Sequence, residues 1–136
     1  MIRLVLDTNV LISGTFWRGS SSQVIKQIED RKALLILSQE IWKEYMKVLD
    51  LEEIRRKVAQ HRERKSAALK LTSLGIFIIP KERIRIVEDP DDDKFIEAAV
   101  AGKAKYIITQ DKTFLKVKKF RNIKTITPEE FLALRK

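Results

Sequence analysis

The sequence predicts an α/β protein, a doubly wound sandwich in which a mainly parallel sheet lies between helices. Three observations lead there. Short apolar runs at Ile2–Leu6 and Ala33–Leu37 read as strands covered on both faces, and Tyr106–Thr109 and Ile123–Ile126 read as further strands. Segments with helical periodicity separate them, as right-handed crossovers between parallel strands require. Only 4 Gly and 3 Pro interrupt the 136 residues, and no repeat or linker divides them, so residues 1–136 are expected to form one domain.

In order along the chain, Ile2–Leu6 is the first strand and ends at Asp7. The stretch after it, with Phe16, Trp17 and Arg18, reads as a loop. Ser20-x-x-Gln23 has capping-box spacing ahead of Val24, Ile25 and Ile28, predicting a helix from Ser20 to about Arg31. Ala33–Leu37 is the second strand, and Ser38 caps a helix through about Leu49. A long charged helix from Glu52 to about Leu74 follows, stopped by Gly75 in a left-handed conformation. Ile76–Ile79 reads as a strand or edge segment ended by Pro80, and Ile84–Val87 as a further extended stretch. Asp89-Pro90-Asp91-Asp92-Asp93 opens a helix with Phe95, Ile96, Ala99 and Val100 on one face, ending at Gly102. After the strands at Tyr106–Thr109 and Ile123–Ile126, Thr127-Pro128-Glu129-Glu130 is a capping box with Pro in the first helical position.

Composition removes several chemistries. Cys is absent and His61 is the single histidine, which excludes a disulfide framework, a thiol nucleophile, a Cys/His zinc site and a two-histidine ribonuclease. His61 has no special spacing to another candidate and reads as a surface or packing residue. Gly14-x-x-x-x-Gly19 has phosphate-loop spacing, but Ser20 stands where that motif needs Lys. No apolar stretch reaches the roughly 18 residues of a membrane span, and the start of the chain does not resemble a secretory signal, so a cytoplasmic protein is expected. The formal charge of +9 favours a polyanionic partner, nucleic acid first.

Against that positive background the acids are informative. In doubly wound sheets ligands bind beyond the carboxyl ends of the strands, and Asp7 and Asp111 both follow predicted central strands. Asp93 lies in the first turn of a helix opening on the same edge. At 100° per residue Glu44 stands about 60° from Ile41 and about 40° from Val48, facing inward, whereas Glu40 points to water. Anions about 6 Å apart repel by roughly 2–3 kcal/mol at an effective dielectric near 20, so such a group needs protons, Lys/Arg partners or divalent cations. Hard oxygen donors with open positions suit Mg²⁺ or Mn²⁺. Taken singly, Asp91 to Asp93 read as helix caps and Asp111 as a turn residue; their shared edge favours a site.

Four blocks in order, Leu6-Asp7-Thr8-Asn9-Val10-Leu11-Ile12-Ser13-Gly14, Ser38-Gln39-Glu40-Ile41-Trp42-Lys43-Glu44-Tyr45, Asp89-Pro90-Asp91-Asp92-Asp93-Lys94-Phe95-Ile96 and Ile107-Ile108-Thr109-Gln110-Asp111, closely resemble the PIN-domain nucleases, in particular the VapC-type toxin components of prokaryotic toxin–antitoxin systems. The resemblance runs over nearly the whole chain, including Thr127–Leu132. It implies a three-layer α/β/α sandwich with a roughly five-stranded sheet, and a metal-dependent ribonuclease site of four acids, Asp7, Glu44, Asp93 and Asp111, supported by Asn9 and Thr109 as hydrogen-bonders to the acids or the scissile phosphate. Asp7 and Asp93 would be the main Mg²⁺ or Mn²⁺ ligands, Glu44 would orient or deprotonate water, and Asp111 would bind a second or weaker metal. Asp93 is chosen because Ile96 and Ala98 follow it at the family's spacing; Asp91 and Asp92 stay open as alternatives.

The expected function is therefore endonucleolytic hydrolysis of single-stranded RNA by a toxin, with a cognate antitoxin and a homodimeric assembly as expected partners. The alternative is a PIN-like RNA-binding or scaffolding subunit without turnover. Positive charge is concentrated in Arg55–Lys70, with seven Lys/Arg against Glu63, and in Lys112–Lys124, with six against no acid. Arg55, Arg56, Lys116, Lys118 and Lys119 are the candidate RNA contacts.

Overall fold

The structure, a computed structural model, describes residues 1–51 and 61–135, with only the backbone described for residues 61–64. Strands β1 (Ile2–Leu6), β2 (Ala33–Leu37), β3 (Ile76–Phe77), β4 (Tyr106–Ile108), β5 (Lys119–Phe120) and β6 (Ile123–Ile126) form a sheet in the order β3-β2-β1-β4-β6-β5. All neighbours pair in parallel except β5, which runs antiparallel to β6. The sheet thus has six strands; the one the sequence did not predict, β5, is a two-residue edge segment of low apolar content. Among the described residues the helices are α1 (Thr8–Phe16), α2 (Ser20–Glu29), α3 (Gln39–Leu49), α4 (His61–Leu74), α5 (Asp93–Ala101), α6 (Lys112–Leu115) and α7 (Pro128–Leu134), with a 3₁₀ turn at Pro90–Asp92.

The apolar runs are buried as their composition requires: Leu4, Val5, Leu6, Leu35, Ile36, Leu37, Ile107 and Ile108 are all at most 1% exposed. Helix α2 packs against both α1 and α7, and α5 lies across β2, β1 and β4. Phe95 of α5 meets Phe114 of α6, and Phe131 of α7 meets Tyr106 of β4 edge-on.

Four readings are corrected. The stretch after β1 is helix α1, not a loop; its buried Val10, Leu11, Ile12 and Gly14 are nearly continuous in sequence, so it shows little of the amphipathic alternation by which helices are recognised. Helix α2 is capped by Gly19, not by a Ser20–Gln23 box: Ser22 Oγ accepts from Gly19 N at 3.0 Å and donates to Gly19 O at 2.8 Å. Gly75 is not left-handed; a Cβ there would lie 2.5 Å from Leu37 Cδ1, so close approach of α4 to β2 explains the glycine. Residues 84–87 form no strand; Ile84 and Val87 are buried individually, and Ile84 N donates to Glu97 Oε2 at 2.9 Å. The expected start of the long helix at Glu52 lies outside the described residues.

The register places the site. Leu6, Ile108 and Ile126 lie side by side at the ends of β1, β4 and β6, so Asp7, Thr109 and Thr127 emerge on one edge. Asp7, Ser38, Asp111 and Thr127 are N-caps of α1, α3, α6 and α7 in turn, each accepting from a backbone N–H in the first helical turn. Parallel topology therefore gathers several helix N-termini, with their partial positive charge, at the carboxyl edge of the sheet.

Candidate active site

Asp7 leaves the end of β1 with its own N–H bonded to Ile108 O at 3.1 Å, and it is only 5% exposed. One carboxyl oxygen, Oδ1, accepts from Val10 N at 2.9 Å as the cap of α1; the other, Oδ2, accepts from the hydroxyl of Thr109. Thr109 is fully buried, and its Oγ1 also accepts from Asp111 N at 3.0 Å. One hydroxyl thus ties the β1 acid to the β4 acid, and Asp111 Oδ1 is turned to cap α6 through Thr113 N at 2.9 Å.

Glu44 arrives from α3. Its Oε2 accepts from the Thr8 hydroxyl, and its Oε1 faces Lys94 Nζ at 3.4 Å. Thr8 and Asp7 are consecutive, which brings Glu44 to the Asp7 edge. Inward placement of Glu44, with Glu40 exposed, is as the helical angles predicted. Lys94 also donates to Asp91 O and stands over the Phe95 ring at 5.2 Å, so its ammonium is held where the acidic loop meets α3.

The electrostatics separate the three adjacent aspartates. Burial pushes Asp7 up from its ordinary 3.8 to about 6; the Thr109 and Val10 hydrogen bonds oppose this, and the charges of Asp111 and Glu44 add to it. Asp92 is pushed up to about 7, first by burial and then by the charges of Asp89, Asp111 and Asp7, with Lys94 opposing. Asp93 is also raised, by burial and then Glu97 and Asp89, with Arg85 and Lys94 opposing. Asp92 stands in the field of Asp7 and Asp111, and Asp93, the sequence-based choice, also lines a neighbouring cleft of about 620 Å³ with Glu40, Arg83, Arg85 and Glu97. Asp92 ends the 3₁₀ turn and Asp93 opens α5.

Asp92 Oδ2 and Asp93 Oδ1 are both buried without a hydrogen-bond partner, a condition that disfavours a bare carboxylate. Among the described residues no group of three acids is closed into a ready ion cage. The donor set of Asp7, Asp92 and Asp111 is nevertheless all hard oxygen, with one oxygen orphaned, and this fits a divalent cation of the Mg²⁺ or Mn²⁺ type. Asn9 is exposed in the first turn of α1, while Thr109 is at the centre of the site. Thr8 and Lys94, which sequence reasoning did not single out, hold Glu44; a hydroxyl beside the first acid and a lysine within the acidic block were the available signals.

A PIN-domain family model matches residues 3–113, spanning β1 through the start of α6 and therefore all of the acids above. The chain belongs to the PIN-domain family. The family is one of nucleases. This PIN domain is similar along its length to MJ1680, an uncharacterised protein of Methanocaldococcus jannaschii: 30% identity over 144 residues, covering 96% of this chain and 90% of the relative. Its fold is similar to that of PAE2754 from Pyrobaculum aerophilum, with a TM-score of 0.68 at 16% identity over 98% of this chain and 88% of the other. It is also similar to chains of two VapBC structures. For VapBC2 from Rickettsia felis, bound to a promoter DNA fragment, the TM-score is 0.60 at 13% identity, covering 91% of this chain and 97% of the other. For VapBC-1 from nontypeable Haemophilus influenzae it is 0.56 at 17% identity, covering 94% and 99%.

Of the candidate RNA contacts, Lys116, Lys118 and Lys119 are exposed just beyond α6, and Lys116 Nζ stands 3.8 Å from Glu88 Oε2. Arg55 and Arg56 lie outside the described residues. Among the described residues no helix is long and apolar enough to cross a membrane.

Proposed function

We propose that the chain is a divalent-metal-dependent endoribonuclease acting on single-stranded RNA, and that it is the toxin of a toxin–antitoxin pair. The observation that carries the catalytic reading is the buried Asp7 carboxyl in the shared field of Asp92, Asp111 and Glu44, an accumulation of negative charge in a protein of net charge +9. A module that only bound a polyanion would gain nothing from it. Two VapBC structures among the similar folds support the toxin assignment and, with it, an antitoxin partner.

In this reading Asp7, Asp92 and Asp111 hold Mg²⁺ or Mn²⁺, with Asp93 one residue away on the same turn. The bound ion supplies Lewis acidity toward the phosphodiester and lowers the cost of generating hydroxide at neutral pH. Thr109 positions Asp7 Oδ2. Thr8 and Lys94 hold Glu44 with one oxygen each, leaving a lone pair free to accept a proton from the attacking water. Asn9, exposed at the rim, is placed to hydrogen-bond a phosphate or the RNA beside it. Lys116, Lys118 and Lys119 carry the RNA backbone, and the protein acts as a homodimer in the cytoplasm.

The test is incubation of purified protein with assorted RNAs in Mg²⁺, Mn²⁺ or EDTA, with sequencing of the cut ends, beside the same assay on Asp7→Asn. Metal-dependent cleavage lost in the variant supports the enzyme. Tight RNA binding without cutting in any divalent metal replaces it with the non-catalytic reading. Growth arrest on expression, relieved by Asp7→Asn, tests the toxin assignment, and light scattering at twice 15.9 kDa tests the dimer.

A further inference from the structure

At the opposite edge of the sheet, where the strands begin, five cationic side chains that are far apart in sequence come together. Arg3 at the start of β1, Lys32 ahead of β2, Lys103 and Lys105 ahead of β4, and Arg135 after α7 line a cavity of about 480 Å³, with no acidic residue in its lining. All five are exposed, and among the described residues none forms a salt bridge. Two are fixed in place: Arg3 Nη1 donates to Gly102 O at 3.1 Å, and Arg135 Nη2 donates to Lys32 O at 2.9 Å. Lys105 stands over the Tyr106 ring at 5.6 Å and Arg135 over Phe131 at 5.9 Å, so their stems lie along aromatic faces. Lys103 occupies a left-handed position (φ 55°) directly after the C-cap of α5, where glycine is the less strained residue.

We propose that this basic cavity is a second contact site for the phosphate backbone of the RNA, on the edge of the sheet away from the acids. Like charges gathered without counter-charges repel one another, and the surface is stabilised when a polyanion neutralises several at once and releases its condensed counterions. Guanidinium forks held at Arg3 and Arg135, flanked by three exposed ammonium groups, suit successive phosphates rather than one small anion. Four residue steps along β1 separate Arg3 from Asp7, a strand rise of about 13 Å, so a chain bound at both places must round the sheet edge. RNA as the occupant rests on the nuclease reading above; the site itself is read by binding, not cleavage.

The test is fluorescence anisotropy of a labelled 20-nucleotide oligo(U), in EDTA, across a salt series. The triple variant Lys32→Gln/Lys103→Gly/Lys105→Gln is compared with wild type and with Lys43→Gln/Lys47→Gln/Lys70→Gln, which changes net charge equally on other surfaces. The cavity variant is expected to bind more weakly and to lose about 2 from the slope of log K against log salt, at roughly 0.7 for each phosphate contact on a single strand. The control variant is expected to keep most of the slope. Equal losses in both, or an unchanged slope in the cavity variant, overturn the site. Lys103→Gly relaxes its backbone and is expected to fold; used alone it should lower the slope by about 0.7, and no change in that folded variant also overturns the site. A protein that binds through this cavity yet never cuts RNA fails the enzyme reading while leaving the site standing.

Discussion

Replacing Asp7 by Asn should make the metal-free protein more stable at neutral pH, although it removes the central acid of the site. The carboxyl is 5% exposed, and burial raises its pKa from 3.8 to about 6. Below pH 3.8 it is protonated in both folded and unfolded chains, and ionisation costs nothing. As pH rises toward 6 the folded state binds more protons than the unfolded one, so stability falls with pH; above about 6 the penalty is complete. At about 1.36 kcal/mol for each pH unit, the interval from 3.8 to about 6 amounts to about 3 kcal/mol. Asn keeps the cap, since its oxygen can accept from Val10 N, and its amide can donate to the Thr109 hydroxyl. Allowing for weaker neutral hydrogen bonds, the expected gain is about 1–3 kcal/mol at pH 7.5, shrinking below about 1 kcal/mol at pH 4.5. Urea denaturation in EDTA at the two pH values measures it. A variant no more stable than wild type at pH 7.5, or equally stabilised at both, would refute the argument that Asp7 is held at an electrostatic cost.

The remaining expectations concern the same architecture. Saturating Mn²⁺ at about a hundred times its Kd should stabilise wild type by about 2.7 kcal/mol; Asp92→Asn should remove most of the rise in Tm, and Asp93→Asn less, because the charges of Asp111 and Asp7 rank among the causes of the shift at Asp92. Thr109→Val leaves Asp7 Oδ2 and Asp111 N without their shared partner and should cost about 1–3 kcal/mol at pH 7.5, with the pH midpoint of the stability change moved upward, as urea titrations over pH would show. Gly102→Ala would set a Cβ 2.4 Å from Ile36 Cγ2; despite the better helix propensity of Ala it should destabilise by about 1–3 kcal/mol in the same measurement.

What was legible in the sequence is local. Strands β1 and β2 were marked by short apolar runs, and the caps Ser38 and Thr127 by side chains that satisfy backbone donors a few residues on; both signals act within one element, so no knowledge of neighbours is required. The acids Asp7, Glu44 and Asp111 were legible for a related reason: parallel topology obliges every strand to end on the same edge, and helical angles carry Glu44 inward. Helix α1 was missed because it is apolar nearly all round, and β5 because two residues have no period. Tertiary structure decided what depends on rotation and on encounters between distant segments. The field of Asp7 and Asp111 at Asp92 joins segments more than 80 positions apart on one side and nearly 20 on the other. The pairing of Glu44 with Lys94 joins positions 50 apart. The basic cavity gathers residues from 3 to 135, each an ordinary surface cation in sequence, and becomes a concentrated charge only when the strands align their starting ends. Charge density is a property of distance in space, and the chain alone specifies distance only along itself.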